Sequence, residues 1–246
     1  TFVRDEDGSL ACVNWVFNGW GAQSWANYEN DSNIAKEIAG FLGAPRVDSD
    51  MVNEGGGIHV NGQGQVLLTE TVQLDPGRNP NWTKEQVEEE LSRTIGVSDF
   101  VWLKQGLTRD YDEFGTRGHV DIVACYLPDQ RVLFHDQKNQ NHPDFSVSEA
   151  VKKQLVDAEL APVSLPAPTT LRDDEGFVDY SYVNHYVMND AVLLGSFEDQ
   201  NDKEAQAILR DCYPDREIVL IDARELFARG GGIHCITQQQ PEATLS

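Results

Sequence analysis

The sequence predicts an α/β fold assembled from four copies of one unit: a β-hairpin, an amphipathic helix and one more strand. Three observations carry that expectation. Turn dipeptides recur at spacings of 54, 67 and 61 residues, which is repeat-like without being strict. Apolar residues at helical spacing follow each turn. The string Gly-Gly-Gly-Ile-His occurs twice, at matching places in the first and last units.

The turns are Asp7-Gly8, Asn61-Gly62, Pro128-Asp129 and Asn189-Asp190. Asn-Gly between apolar alternations is the strongest short hairpin signal, because its turn needs positive φ at both positions. After the first turn, Ile34, Ile38, Phe41 and Leu42 mark a helix that Asp31 or Ser32 would cap and Gly43 would end. A strand over residues 46–53 then runs into Glu54-Gly55-Gly56-Gly57-Ile58-His59. The second unit has a capping box, Thr83 with Gln86, a stripe of Val87 and Leu91, and a terminating Gly96. The third repeats the pattern with Ser146 and Glu149, then Val147, Val151 and Leu155; its proline-rich residues 161–168 read as a connection within the array. The fourth has Asp202 as cap, Ala205, Ile208 and Leu209 as stripe, and a strand over 217–222 leading to Gly230-Gly231-Gly232-Ile233-His234-Cys235. All four stripes read as core. No linker or charge block divides the chain, so residues 1–246 form one domain.

Composition narrows the function. Apolar residues make up 40% and mean hydropathy is −0.45, ordinary for a globular chain, and no apolar run approaches the roughly 18 to 20 residues of a membrane span. With 19 basic and 41 acidic residues the formal charge is −22. A nucleic-acid partner is disfavoured, since phosphate binding needs a basic face; a cationic small molecule would be drawn in, although solubility explains most such charge. Four cysteines without CxxC or metal-ligand spacing read as reduced thiols in a reducing, cytoplasmic setting. The chain starts at Thr1 inside a strand-like run, so the true N-terminus is expected to lie upstream.

Four residues could carry chemistry. His119 and Asp121, two apart on an expected strand, would project to one face; as metal ligands they lack a matching pair, and no metal is assigned. Glu54 stands where a strand meets a glycine triplet, where it is either a surface residue or part of a site. Cys235 follows the second triplet in a setting that suggests a cleft, whereas Cys12, Cys125 and Cys212 read as inert packing.

At this point the chain resembles the agmatine deiminase branch of the guanidine-modifying, pentein-fold enzymes, with bacterial peptidylarginine deiminases as near relations. The resemblance is carried by Trp15-Val16-Phe17-Asn18-Gly19-Trp20-Gly21, by Glu54 through His59, by Arg78-Asn79-Pro80, by Gly115-Thr116-Arg117-Gly118-His119-Val120-Asp121, and by Gly230 through Pro241 with its Gln238-Gln239-Gln240 run. It implies a propeller of five ββαβ units, here incomplete, with four units visible and the N-terminal part missing. It implies Cys235 as nucleophile, His119 as acid and base, Asp121 and Glu54 as binders of a guanidinium, no cofactor, and a possible homodimer in polyamine synthesis. The family's Trp-x-Arg-Asp-x-Gly-Pro motif, whose Asp grips the substrate, is not in the chain. Ile122 replaces a common acidic residue, and Gly232 replaces a common Asn. A peptidylarginine deiminase, an amidinotransferase, a papain-like hydrolase and an inactive or purely binding protein are the alternatives.

Overall fold

The computed structural model describes residues 1–5, 7–170, 172 and 176–242. Four ββαβ units follow one another along it. The first comprises β1 (Phe2–Arg4), β2 (Leu10–Val16), α1 (Ile34–Leu42) and β3 (Arg46–Val52); the second β4 (Ile58–Val60), β5 (Gln65–Thr69), α2 (Lys84–Ile95) and β6 (Asp99–Leu103). The third has β7 (Ala124–Tyr126), β8 (Val132–Asp136), α3 (Asp144–Asp157) and β9 (Pro162–Pro166); the fourth β10 (Tyr186–Val187), β11 (Ala191–Ser196), α4 (Asp202–Cys212) and β12 (Glu217–Asp222). Each unit makes its own three-stranded sheet in sequence order. Its hairpin is antiparallel, and its third strand returns through the helix to lie parallel to the second. All four turn dipeptides lie between hairpin strands, as in the pairing of Val60 with Val66 and of Tyr126 with Val132.

The packing rule repeats as well. α2, α3 and α4 each lie on the last strand of the preceding unit: β3, β6 and β9 respectively. Strand alternation serves both neighbours. On β5, Val66 and Leu68 join the core shared with the first unit, while Leu67 joins the core of the later units, all three fully buried. The stripes Val87 and Leu91, Val147, Val151 and Leu155, and Ala205 and Leu209 are buried, with Ile208 packed at the margin. The stripe of α1 is not: Ile34, Ile38, Phe41 and Leu42 are exposed, Phe41 by 87%. The periodicity was right, but the burial differs: among the described residues α1 packs chiefly on β2 of its own sheet, which leaves its stripe uncovered.

Three local expectations also change. The segment read as a proline-rich connection is β9, which among the described residues pairs only with β8 and so tolerates proline as an edge strand does. Ser146 and Glu149 make no capping box; α3 starts two residues earlier behind Pro143, and the Ser146 hydroxyl donates to the Pro143 carbonyl. Asp31 and Ser32 sit in a 3-10 turn before α1, whose Asn33 cap makes no side-chain capping bond, its amide donating to the Glu29 carbonyl instead. Asp202 is the first residue of α4, and its carboxylate accepts the N–H groups of Phe197 and Asp199 from the entering loop. The Thr83–Gln86 capping box is present, and Gly43 and Gly96 end their helices in left-handed conformations. Among the described residues no helix is long and apolar enough to cross a membrane.

Candidate active site

Three turns from different units meet at one place. The first leaves β3: Glu54 is extended, and Gly55–Gly57 form a 3-10 turn. The second carries His119 into a 3-10 turn, Val120–Ile122, just before β7. The third holds Cys235 within a 3-10 turn, His234–Ile236. His119 and Asp121 therefore do not share a strand face, contrary to the sequence reading; a bent turn brings them together instead. Gly56 makes that convergence possible. A Cβ there would lie 2.5 Å from His119 Nδ1 and 2.7 Å from Asp121 Oδ2, closer than any side chain tolerates.

Glu54, His119 and Asp121 are buried, while Cys235 opens onto a cleft of about 1130 Å³ that all four line. Cys12, Cys125 and Cys212 are buried in the packing. The His119 Nε2 lies 2.9 Å from Glu54 Oε2. Glu54 is itself clamped by Arg78, whose Nε donates to both carboxylate oxygens at 3.0 and 3.1 Å. The rest of that buried guanidinium donates to Asp75 Oδ2 at 2.8 Å and to the Thr116 carbonyl at 2.7 Å. Asp110 fixes the His119 turn from behind: it accepts the N–H groups of Thr116, Gly118 and His119 and the Thr116 hydroxyl. Those bonds hold Arg117 at φ 67, a conformation that costs a non-glycine residue energy. Asp121 Oδ2 lies 2.8 Å from His234 Nδ1 and accepts from the Cys235 thiol at 3.5 Å. Asp121 Oδ1 is buried and has no partner among the described residues.

These contacts decide the charges. Burial would push Glu54 up, but the hydrogen bond from His119 and the charge of Arg78 hold it below the usual carboxylate range. Burial would push His119 down, yet Glu54, with Asp121 and Asp110 behind it, holds it above the ordinary histidine value. Asp121 is lowered against burial by His234 and His119. Cys235 goes the other way: burial and the Asp121 carboxylate raise its thiol well above the usual value, opposed by the Gly232 N–H and Asn184. Burial above all, with the charge of His234 adding to it, depresses His59 to about 3 and His185 to about 4. Both line the cleft without charge at neutral pH.

Arg78, Asp110, Asn184 and His234 belong to this constellation, and sequence reasoning gave none of them a role. Arg78 and His234 lay inside the motif segments quoted for the resemblance. Asp110 and Asn184 had no local signal at all.

Comparison with known proteins fixes the family. Residues 1–241 match the model of Porphyromonas-type peptidyl-arginine deiminase. A putative agmatine deiminase of Streptomyces coelicolor is 52% identical over 98% of this chain and 73% of its own length. The agmatine deiminase of Stutzerimonas stutzeri is 34% identical over 98% of this chain and 72% of its own. The solved structure of Enterococcus faecalis agmatine deiminase superposes with a TM-score of 0.90 at 31% identity, covering 98% of this chain and 72% of that one. The ββαβ array, the cleft and these relatives agree: the chain belongs to the Porphyromonas-type peptidyl-arginine deiminase family of pentein-fold, guanidine-modifying hydrolases, on its agmatine deiminase branch.

Proposed function

We propose that this protein hydrolyses the guanidinium group of agmatine to N-carbamoylputrescine and ammonia through a covalent intermediate on Cys235. The observation that carries the reading is the unpartnered, buried Asp121 Oδ1 beside a thiol in an acidic cleft. A buried acceptor without a donor is costly, and a planar guanidinium supplies paired N–H donors with a matching charge. Among the described residues Glu54 Oε1 accepts from Arg78 alone, so one lone-pair position remains to it for the same ligand.

The Cys235 thiolate attacks the guanidinium carbon, forming the C–S bond and a tetrahedral adduct. His119, protonated because Glu54 holds it so, passes its proton to the leaving nitrogen; the C–N bond breaks and ammonia departs, leaving an amidino-thioether. Nε2 is held by Glu54, so Nδ1 is the nitrogen that exchanges this proton. The neutral imidazole then takes a proton from water as the water attacks. The C–S bond breaks, the ureido product leaves and the thiol is restored. Cys235 is protonated before substrate arrives; the cation of the substrate, with imidazolium nearby, favours its ionisation, the thiol proton passing to solvent, from which the departed ammonia takes one up as ammonium.

A ureido-product assay comparing agmatine, free arginine and a peptidylarginine tests the substrate. Turnover of agmatine alone is the expected result. Turnover confined to peptidylarginine would keep the mechanism and overturn the substrate, and silence with all three would sink the hydrolytic reading of the cleft.

A further inference from the structure

The segment that leaves β5 is bonded to both of the turns that carry Glu54 and His119. At its start the fully buried Thr69 hydroxyl donates to the Gly118 carbonyl at 2.7 Å, next to His119. At its end, on the short helix Glu70–Gln73, the fully buried Gln73 amide reaches the other turn. Its Nε2 donates to Asn53 Oδ1 at 3.1 Å and to the Gly57 carbonyl at 2.9 Å. Asn53 and Gly57 bracket residues 54–56, so one amide grips the turn on both sides of the Glu54 carboxylate. The orientation of that amide is fixed by the Gly57 carbonyl, which has to accept. Asn79 secures the segment in turn. Its Nδ2 donates to the Gln73 and Val52 carbonyls at 3.0 Å each, and its Oδ1 accepts the Val52 N–H at 3.0 Å. The fit at the turn is close, since a Cβ at Gly57 would lie 3.0 Å from Asn53 Oδ1 and 3.2 Å from Gln73 Nε2.

Stability alone does not account for this pair. Gln73 Oε1 and Asn53 Nδ2 are buried without a partner among the described residues, a cost that apolar side chains of the same shape would not carry. What the polar pair adds is direction, because a hydrogen bond fixes an angle and a distance whereas apolar contact fixes neither. We propose that Gln73 is a positioning residue: with Thr69 at the other end of the same segment, it sets the Glu54 turn against the His119 turn and keeps the carboxylate on the imidazole. The proposal rests on the reading of His119 as the general acid that Glu54 supports. Glu54, Asp121 and Asp110 are the charged groups that face His119, and of these Glu54 alone stands on the turn that Gln73 grips. Moving that turn weakens one support of the imidazolium and leaves the other two carboxylates in place. His119 then loses its proton at lower pH.

The test uses Gln73→Leu and Thr69→Val in the native protein, with Glu54→Gln as reference. It reads kcat for agmatine against pH and, without any turnover, the pH midpoint of the His119 imidazole by NMR. In Gln73→Leu the alkaline limb and the imidazole midpoint should both fall by about one unit, with kcat down roughly tenfold, as a slight misplacement of the general acid costs. Thr69→Val, which keeps the shape of the side chain, should move both readouts the same way. A purely structural role would lower the unfolding midpoint and leave both pH readouts in place. That result in Gln73→Leu, or in Thr69→Val if Gln73→Leu does not fold, overturns the proposal, and so does failure of both to fold. Unmoved readouts in Glu54→Gln would instead overturn the Glu54–His119 pairing. If the native protein is silent with agmatine, the function reading fails and the imidazole midpoint alone decides the role of Gln73.

Discussion

At the scale of single residues, each charge in the cleft is decided by a competition between burial and partners. His119 is the clearest case, because its imidazole is buried and is nevertheless held protonated by Glu54. In the proposed mechanism His119 must be protonated to give its proton to the leaving nitrogen, and a raised pKa keeps it so further into the alkaline range. Glu54→Gln removes that support. The alkaline limb of kcat against pH should then move to lower pH, with kcat at neutral pH down roughly tenfold or more, the scale of a misplaced general acid. An alkaline limb that stays in place would break the assigned pairing. Cys235 gives the opposite sign: its thiol is raised, so alkylation without ligand should be slow at neutral pH and speed up only under alkaline conditions. A low midpoint in the free protein would show that the thiolate forms without substrate. Glu54, His119, Asp121 and Cys235 were legible because their residue types sit in short strings beside glycines. Asn184 was not, since an asparagine in a turn is common and its partners lie 50 residues or more away in sequence.

At the scale of elements, the same local pattern has different consequences in different places. α1 and α2 carry comparable apolar stripes, but Leu91 is fully buried and Phe41 is 87% exposed. Leu91→Ala should cost about 2–5 kcal/mol through lost burial and the cavity left behind. Phe41→Ser should stay within about 0.5 kcal/mol, as surface changes do. Denaturant midpoints at unchanged m-values would measure both, and an equal cost would mean that something covers α1 in solution. The hairpins were readable because a turn type is fixed by its own two residues. β9 was not, because its prolines advertise a break, and only the knowledge that β9 lies at the edge of its sheet, paired with β8 on one side, makes them reasonable there. Ser146 and Glu149 fit a capping pattern that the chain does not use, since the helix has already begun at Asp144. The bend that unites His119 and Asp121 escaped for a related reason: it is imposed by Asp110, nine residues before His119.

At the scale of the whole molecule, four units stacked through a repeated helix-on-strand contact leave one cleft where their connecting turns meet. The chain carries a formal charge of −22, and the cleft histidines His59 and His185 do nothing to offset it at neutral pH. A cation approaching such a surface is steered over distances comparable to the Debye length, which is about 30 Å at 0.01 M salt and about 3 Å at 1 M. Steering acts on encounter and not on the steps inside the cleft, where the reacting charges are already in contact and shielded from bulk ions. For agmatine, kcat/KM should therefore fall as ionic strength rises from low to high, while kcat stays nearly constant. A neutral ion-matched control at constant viscosity isolates the effect of charge from that of the solvent. If kcat/KM holds flat across the series while turnover persists, the acidic surplus serves solubility, and recognition of the cation is confined to Asp121 and Glu54.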